Sequence, residues 1–137
     1  PYGKVFAIEK KELAFELLKK NKKKFAAENL ILIQGTAPEA LEELPAPDQV
    51  FIGGSSGNMR QILELLLQKN PQVRIVINCI ALETVAETLN CIKELAVTDT
   101  EIVQVSVSKA KEIGSYHMMM GENPIYIISC TGNGKGR

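Results

Sequence analysis

Apolar residues recur along this chain in short unbroken runs, and between the runs they fall at helical spacing. KVFAI at 4–8, LILIQ at 30–34, QVFIG at 49–53 and RIVIN at 74–78 are the runs. Each has the length of a buried strand. Behind the first run, Leu13, Ala14, Leu17, Leu18 and Phe25 share one face of a helix predicted from about Lys10 to Ala27. Behind the second, Pro38 opens a short helix carrying Ala40, Leu41 and Leu44, and Pro45 and Pro47 stop it. The third run leads into a helix from about Asn58 to Lys69, with Met59, Ile62, Leu63 and Leu66 at i, i+3, i+4 and i+7 and a stop at Asn70-Pro71. The fourth leads into a helix from about Leu82 to Ala96, with Leu82, Val85, Ala86, Leu89 and Ile92 as its apolar stripe.

Strands that are apolar throughout, each followed by a helix, predict an α/β fold with a mostly parallel sheet covered on both faces. The rhythm then changes. EIVQVSVS at 101–108 alternates, and NPIYIISC at 123–130 follows with no helical segment between them. Strands joined without a crossover helix pair antiparallel, so the sheet is expected to end in an antiparallel hairpin. Residues 109–122 read as a loop, and TGNGKGR at 131–137 reads as a flexible polar tail.

The 137 residues carry 16 Lys+Arg against 16 Asp+Glu, so no global field draws the protein to nucleic acid or to an acidic membrane. At 45% hydrophobic, the chain can build one core without disulfides or metal. Cys79, Cys91 and Cys130 lack the spacing of a zinc site, and free cysteines suit a reducing cytoplasm. No apolar run is long enough to span a membrane, and no signal peptide opens the chain. A start at Pro1, almost directly in a strand, reads as a fragment or a processed product.

In open parallel sheets ligands bind beyond the carboxyl ends of the strands, which singles out four corners. Glu9 ends the first strand, where a carboxylate can accept both hydroxyls of a ribose or simply favour the dipole of the next helix. Gly35-Thr36-Ala37-Pro38 follows the second; its small residues admit a flat base, and equally make an ordinary turn. Gly53-Gly54-Ser55-Ser56-Gly57 follows the third, where glycines permit close backbone approach and helix-start amides attract anions. The same stretch fits G-x-S-x-G, so an alternative reading is a serine hydrolase with Ser55 as nucleophile and Asp99 and His117 behind it. Asn78-Cys79 follows the fourth, where an amide can address a substrate or satisfy a turn. Tyr116, His117 and three consecutive methionines fall in the segment before the last strand.

Taken in order, KVFAIEK, ILIQGTAPEAL, LPAPDQVFIGGSSGN, RIVINCIALETVAETL, EIVQVSVSKAKEIGSYHMM and NPIYIIS resemble the decarboxylating precorrin C-15 methyltransferases of cobalamin biosynthesis, from Gly3 to about Ser129. The resemblance implies a Rossmann-like methyltransferase fold with S-adenosyl-L-methionine as cofactor, and methyl transfer of that kind depends chiefly on positioning and requires no metal. It also implies a precorrin tetrapyrrole as substrate and a homo-oligomeric assembly. It implies that Glu9 holds the ribose, that Thr36 and Ala37 flank the adenine, and that Gly53-Gly54-Ser55 form the wall between methyl donor and tetrapyrrole. Ser55 of that wall, the Asn78 amide after the fourth strand and Tyr116 in the segment before the last strand are the residues expected on the substrate side, with the acetate carboxylate oriented either by backbone amides near Gly54 to Gly57 or by the segment around Tyr116. Thr36 stands where related chains often carry Asp. The family's first strand and glycine-rich loop would precede Gly3, placing a strand between those at 4–8 and 49–53. On that expectation, residues 1–130 are the C-terminal portion of one methyltransferase domain, and a non-catalytic binding or assembly fragment is the third reading.

Overall fold

The computed structural model describes residues 2–54 and 57–134. They fall into two compact units that divide between Pro45 and Ala46.

In the first unit, β1 (Val5–Glu9) pairs parallel with β2 (Leu30–Gln34), Val5 opposite Leu30 and Glu9 opposite Gln34. The crossover is α1 (Glu12–Lys24), with Glu12 in its first turn and Lys22, Lys23 and Lys24 in its last, charges that suit the helix dipole at both ends. It stops at Phe25, and Ala26 takes a positive φ of 48°. The helix is therefore shorter than the apolar spacing predicts. Its buried residue is Phe15, while Leu13 is 84% exposed and Leu17 and Phe25 are exposed as well. Helix α1 carries an apolar arc wider than a two-stranded sheet can cover, and Ala14, Phe15 and Leu18 lie on its less exposed side. A 3₁₀ turn at Glu39–Leu41 takes the place of the short helix predicted after Pro38.

The second unit has a four-stranded sheet in the order β3-β4-β8-β5, from β3 (Gln49–Ile52), β4 (Arg74–Cys79), β5 (Val97–Val105) and β8 (Ile125–Gly132). β3 and β4 are parallel, and β8 inserts antiparallel between β4 and β5, as expected for the closing pair. The connections are α2 (Met59–Lys69) and α3 (Leu82–Glu94). Helix α2 buries Met59, Ile62, Leu63 and Leu66, the stripe read from its spacing. In α3 the buried residues are Thr88 and Cys91 instead of the apolar stripe, and Leu82 is exposed. Thr88 can be buried because its hydroxyl donates to the Thr84 carbonyl at 2.7 Å.

Both helices lie on the same face of this sheet. Ile75, Ile77 and Cys79 of β4 and Ile128 and Cys130 of β8 are buried on that face. Thr88 Oγ1 of α3 lies 3.8 Å from Cys79 Sγ, and Leu67 of α2 stands over Gly132 of β8. The opposite face carries Phe51, 63% exposed, with Val76, Ile127, Val103 and Val105.

The segment read as a loop at 109–122 is a hairpin. β6 (Ser108–Ile113) and β7 (Tyr116–Gly121) form a separate two-stranded antiparallel sheet. Gly114, at φ 61°, supplies the left-handed residue of a two-residue turn with Ser115. β8 also continues to Gly132, two residues into the segment read as a tail, and residues 135–137 lie outside the described residues.

Candidate functional site

The site residues of the first unit meet at the carboxyl ends of β1 and β2. Glu9 ends β1 opposite Gln34, and the Gly35 amide donates to the Glu9 carbonyl at 3.1 Å. That bond extends the ladder one step and sets the Glu9 backbone against the start of Gly35-Thr36-Ala37. The corner then tightens, with the Ala40 amide donating to the Thr36 carbonyl at 2.9 Å and a cis peptide between Ala37 and Pro38. Thr36 is exposed, Ala37 half-buried. The Glu9 carboxylate accepts the Lys11 amide at 2.8 Å through Oε1. A carboxylate offers about four acceptor sites, so this single bond leaves capacity for a diol.

In the second unit the strand directions settle what shares an edge. β3, β4 and β5 all run the same way, since β8 is antiparallel to both β4 and β5. Gly53-Gly54 after β3, Asn78-Cys79 at the end of β4 and the root of the β6–β7 hairpin after β5 therefore lie at one end of the sheet. This is the end at which open α/β sheets bind ligands. Gly53 and Gly54 are exposed; a Cβ on Gly53 would stand 3.3 Å from the Phe51 ring, whereas one on Gly54 would meet nothing within 4 Å. Gly54 thus lines open space, and Gly57, at φ 87°, turns the chain toward α2. Ser55, the substrate and nucleophile candidate, lies outside the described residues. Asn78 is half-buried opposite Ile127.

Tyr116 lies on the β6–β7 hairpin and not in the four-stranded sheet. It pairs with Ile113 beside the hairpin turn, five residues from the hairpin root at Gly121, and is 74% exposed. His117 faces Glu112 across the hairpin at 3.5 Å, so the acid beside the histidine is Glu112 and not the Asp99 that a hydrolase triad would use. Burial pushes the Cys130 thiol above its ordinary pKa, and burial first, with Glu87 and Glu94 nearby, does the same to Cys91 against the opposing pull of Arg60. These thiols stay protonated at neutral pH and are packing groups. Among the described residues no cluster of three or more His, Cys, Asp or Glu could hold a metal, and no helix is long and apolar enough to cross a membrane.

Sequence reasoning missed Arg60, which binds Glu94 of α3 and lies 3.5 Å from Glu64, tying the start of α2 to the end of α3 just beyond the glycine corner. The i, i+4 spacing to Glu64 is a visible signal of it; the link to Glu94 is a product of tertiary packing.

Known proteins share this arrangement. A relative from Sulfurisphaera tokodaii named "Probable cobalt-precorrin-6B C(15)-methyltransferase (decarboxylating)" is 37% identical over 131 residues, covering 92% of this chain and 66% of the relative. One of the same name from Methanococcus maripaludis is 40% identical over 127 residues, covering 93% and 68%. The chain thus spans about two thirds of the length of the curated relatives it matches. The crystal structure of precorrin-6y C5,15-methyltransferase from Geobacter metallireducens superimposes with a TM-score of 0.85 at 34% identity, over 96% of this chain and 69% of that one. A SAM-dependent O-methyltransferase from Thermotoga maritima, at 21% identity and a TM-score of 0.73, shares the Rossmann-like methyltransferase fold over 98% of this chain and 52% of its own. The family model described as precorrin methyltransferase domain matches residues 1–131, from ahead of β1 to within the last strand. With the fold and the sequence agreeing over that whole span, the chain belongs to the precorrin methyltransferase domain family.

Proposed function

We propose that the protein built on this chain transfers a methyl group from S-adenosyl-L-methionine to C-15 of a precorrin or cobalt-precorrin, with loss of carbon dioxide from an acetate side chain, in cobalamin biosynthesis. The observation that carries the reading is the Glu9 corner. The bond from the Gly35 amide to the Glu9 carbonyl seats an acidic residue beside a turn of small residues at the carboxyl ends of two adjacent parallel strands. That is where a Rossmann-like sheet receives a nucleoside. The donor, when bound, supplies an electrophilic methyl group on a sulfonium sulfur. The Glu9 carboxylate accepts hydrogen bonds from the ribose hydroxyls, and Thr36 and Ala37 present backbone beside the adenine. Gly53 and Gly54 keep the wall between donor and tetrapyrrole free of side chains, and Asn78 offers an amide on the substrate side. Aligning a methyl carbon with an electron-rich ring carbon is chiefly a matter of position, so these residues act by holding and excluding rather than by moving protons. On this reading the domain works in the cytoplasm as a homo-oligomer, binding no nucleic acid.

The test is calorimetric titration with S-adenosylhomocysteine, in a protein of the relatives' length carrying this sequence. Glu9→Gln is expected to weaken binding by about 1–3 kcal/mol, roughly 5- to 150-fold, the usual loss for a charged hydrogen-bond acceptor. An unchanged Kd in a folded variant removes Glu9 from the ribose site.

A further inference from the structure

At the carboxyl end of the first unit's sheet a second polar side chain stands beside Glu9. β2 is apolar from Leu30 to Ile33 and then ends in Gln34, which the parallel register places directly opposite Glu9. Side chains paired across a ladder leave the same face of the sheet, and neighbouring strands lie about 4.8 Å apart. The pair is not a frayed end, because the Gly35 amide still donates to the Glu9 carbonyl one step beyond it. Both side chains therefore start from a fixed backbone and share one patch of surface. Below them on that face Ala7 lies opposite Leu32 and Val5 opposite Leu30, so the two strands offer a ligand no other polar side chain there.

The two groups differ in what they can do. An ionised carboxylate only accepts hydrogen bonds, whereas a glutamine amide carries two N–H donors and one acceptor oxygen. Glu9 is half-buried and already accepts the Lys11 amide through Oε1. Gln34 is exposed, and among the described residues nothing engages its side-chain amide. An otherwise apolar strand thus ends in an unused donor beside a group that can only accept. A vicinal diol matches that combination. Each hydroxyl donates one proton and accepts through its lone pairs, so a diol whose protons go to a carboxylate still calls for a donor at its oxygens. Closing a site over those oxygens without one would leave them desolvated and unpaired.

We propose, resting on the ribose reading of Glu9, that Gln34 is a second nucleoside-binding residue, its side-chain Nε2 donating to a ribose hydroxyl whose proton the Glu9 carboxylate accepts. The two strand ends then meet both the donor and the acceptor capacity of the diol, and the pair selects ribose over deoxyribose.

Calorimetric titration of a protein of the relatives' length carrying this sequence tests the assignment, with S-adenosylhomocysteine and its 2′-deoxy and 3′-deoxy counterparts as probes. Gln34→Leu keeps the bulk of the side chain and removes the amide. It is expected to weaken S-adenosylhomocysteine binding about 3- to 10-fold, the loss of one hydrogen bond from a neutral donor. For one of the two deoxy probes the loss shrinks below about 2-fold, because the hydroxyl that Gln34 addresses is gone. The exchange Glu9→Gln/Gln34→Glu leaves one carboxylate and one amide at the same two strand ends, and is expected to bind S-adenosylhomocysteine more tightly than Glu9→Gln alone. Circular dichroism checks the fold of each variant, and Gln34→Ala takes the place of Gln34→Leu should the apolar side chain disturb it. An unchanged Kd in the Gln34 variant overturns the proposal, and so do equal losses for all three probes or an exchange variant no tighter than Glu9→Gln. If Glu9→Gln weakens binding while the Gln34 variant does not, Gln34 alone is removed and the ribose role of Glu9 stands; if neither changes the Kd, both fall.

Discussion

Replacing Gly132 by alanine is the sharpest probe of the second unit. A Cβ there would stand 2.2 Å from the Pro71 carbonyl oxygen, 2.7 Å from its carbon and 2.9 Å from Leu67 Cδ2. The first two are backbone atoms, so no rotamer change relieves the contact; β8 or the α2–β4 turn must move by about 1 Å to reach van der Waals distance. Three main-chain bonds hold that junction: Gly132 to Val73 at 2.9 Å, Asn133 to Ala96 at 3.1 Å and Gly134 to Pro71 at 2.9 Å. Overpacking of this kind costs about 1–3 kcal/mol, and each bond stretched or lost adds about 1 kcal/mol, so a total near 3 kcal/mol is expected. The smaller unfolded-state entropy of alanine offsets only about 0.4–1 kcal/mol. Urea unfolding should show the midpoint falling with m unchanged, and at roughly 3–5 °C per kcal/mol the melting temperature should drop by about 10 °C. A loss under about 0.5 kcal/mol, the range of ordinary surface substitutions, would refute the close approach of β8 to Pro71.

Gly54→Val is expected to leave the melting temperature within about 2 °C of wild type, since its Cβ meets nothing within 4 Å, and to abolish methyl transfer in a protein of the relatives' length. Full turnover would make that corner purely structural. Alkaline pH should destabilise the fold through its buried thiols. Cys91 and Cys130 have raised pKa values in the folded state, so above the ordinary thiol range of about 8.5 the unfolded chain releases protons that the folded chain keeps, and stability declines as pH rises. Cys130→Ala should start less stable but lose less between pH 8 and 10, by urea titration; an unchanged slope would contradict the burial of that thiol.

The element order was legible because periodicity and breakers agreed. In α2 four residues at 59, 62, 63 and 66 form the stripe and all four are buried, and Asn70-Pro71 ends the helix where expected. Legibility failed where the buried position is polar or small. Thr88 and Cys91 anchor α3 because a threonine can return its hydroxyl to the preceding turn, which no apolar count registers. It failed again at 108–121, where strands with neither face buried have no reason to alternate, and only the Gly114-Ser115 turn announced the hairpin. Of the site, the adjacency of Glu9 to Gly35-Thr36 was readable from strand ends alone, since parallel neighbours finish side by side. The place of Tyr116 beside a hairpin turn was not, because it depends on the hairpin that the pattern concealed.

Because β8 lies between β4 and β5, the sheet of the second unit cannot be assembled in the order in which it is translated. β5 leaves the ribosome before β8 and has no strand to pair with until the residues after Pro124 follow it. A nascent chain that has already made β3, α2, β4 and α3 must hold Ile75, Ile77 and Cys91 without the strand that carries Ile128 and Cys130. Such long-range closure is slow and leaves apolar edges open while it waits. Chains interrupted between Val105 and Ile125 would carry most of this unit's sequence and still lack the strand that joins its two halves, making them natural substrates for chaperones and proteases.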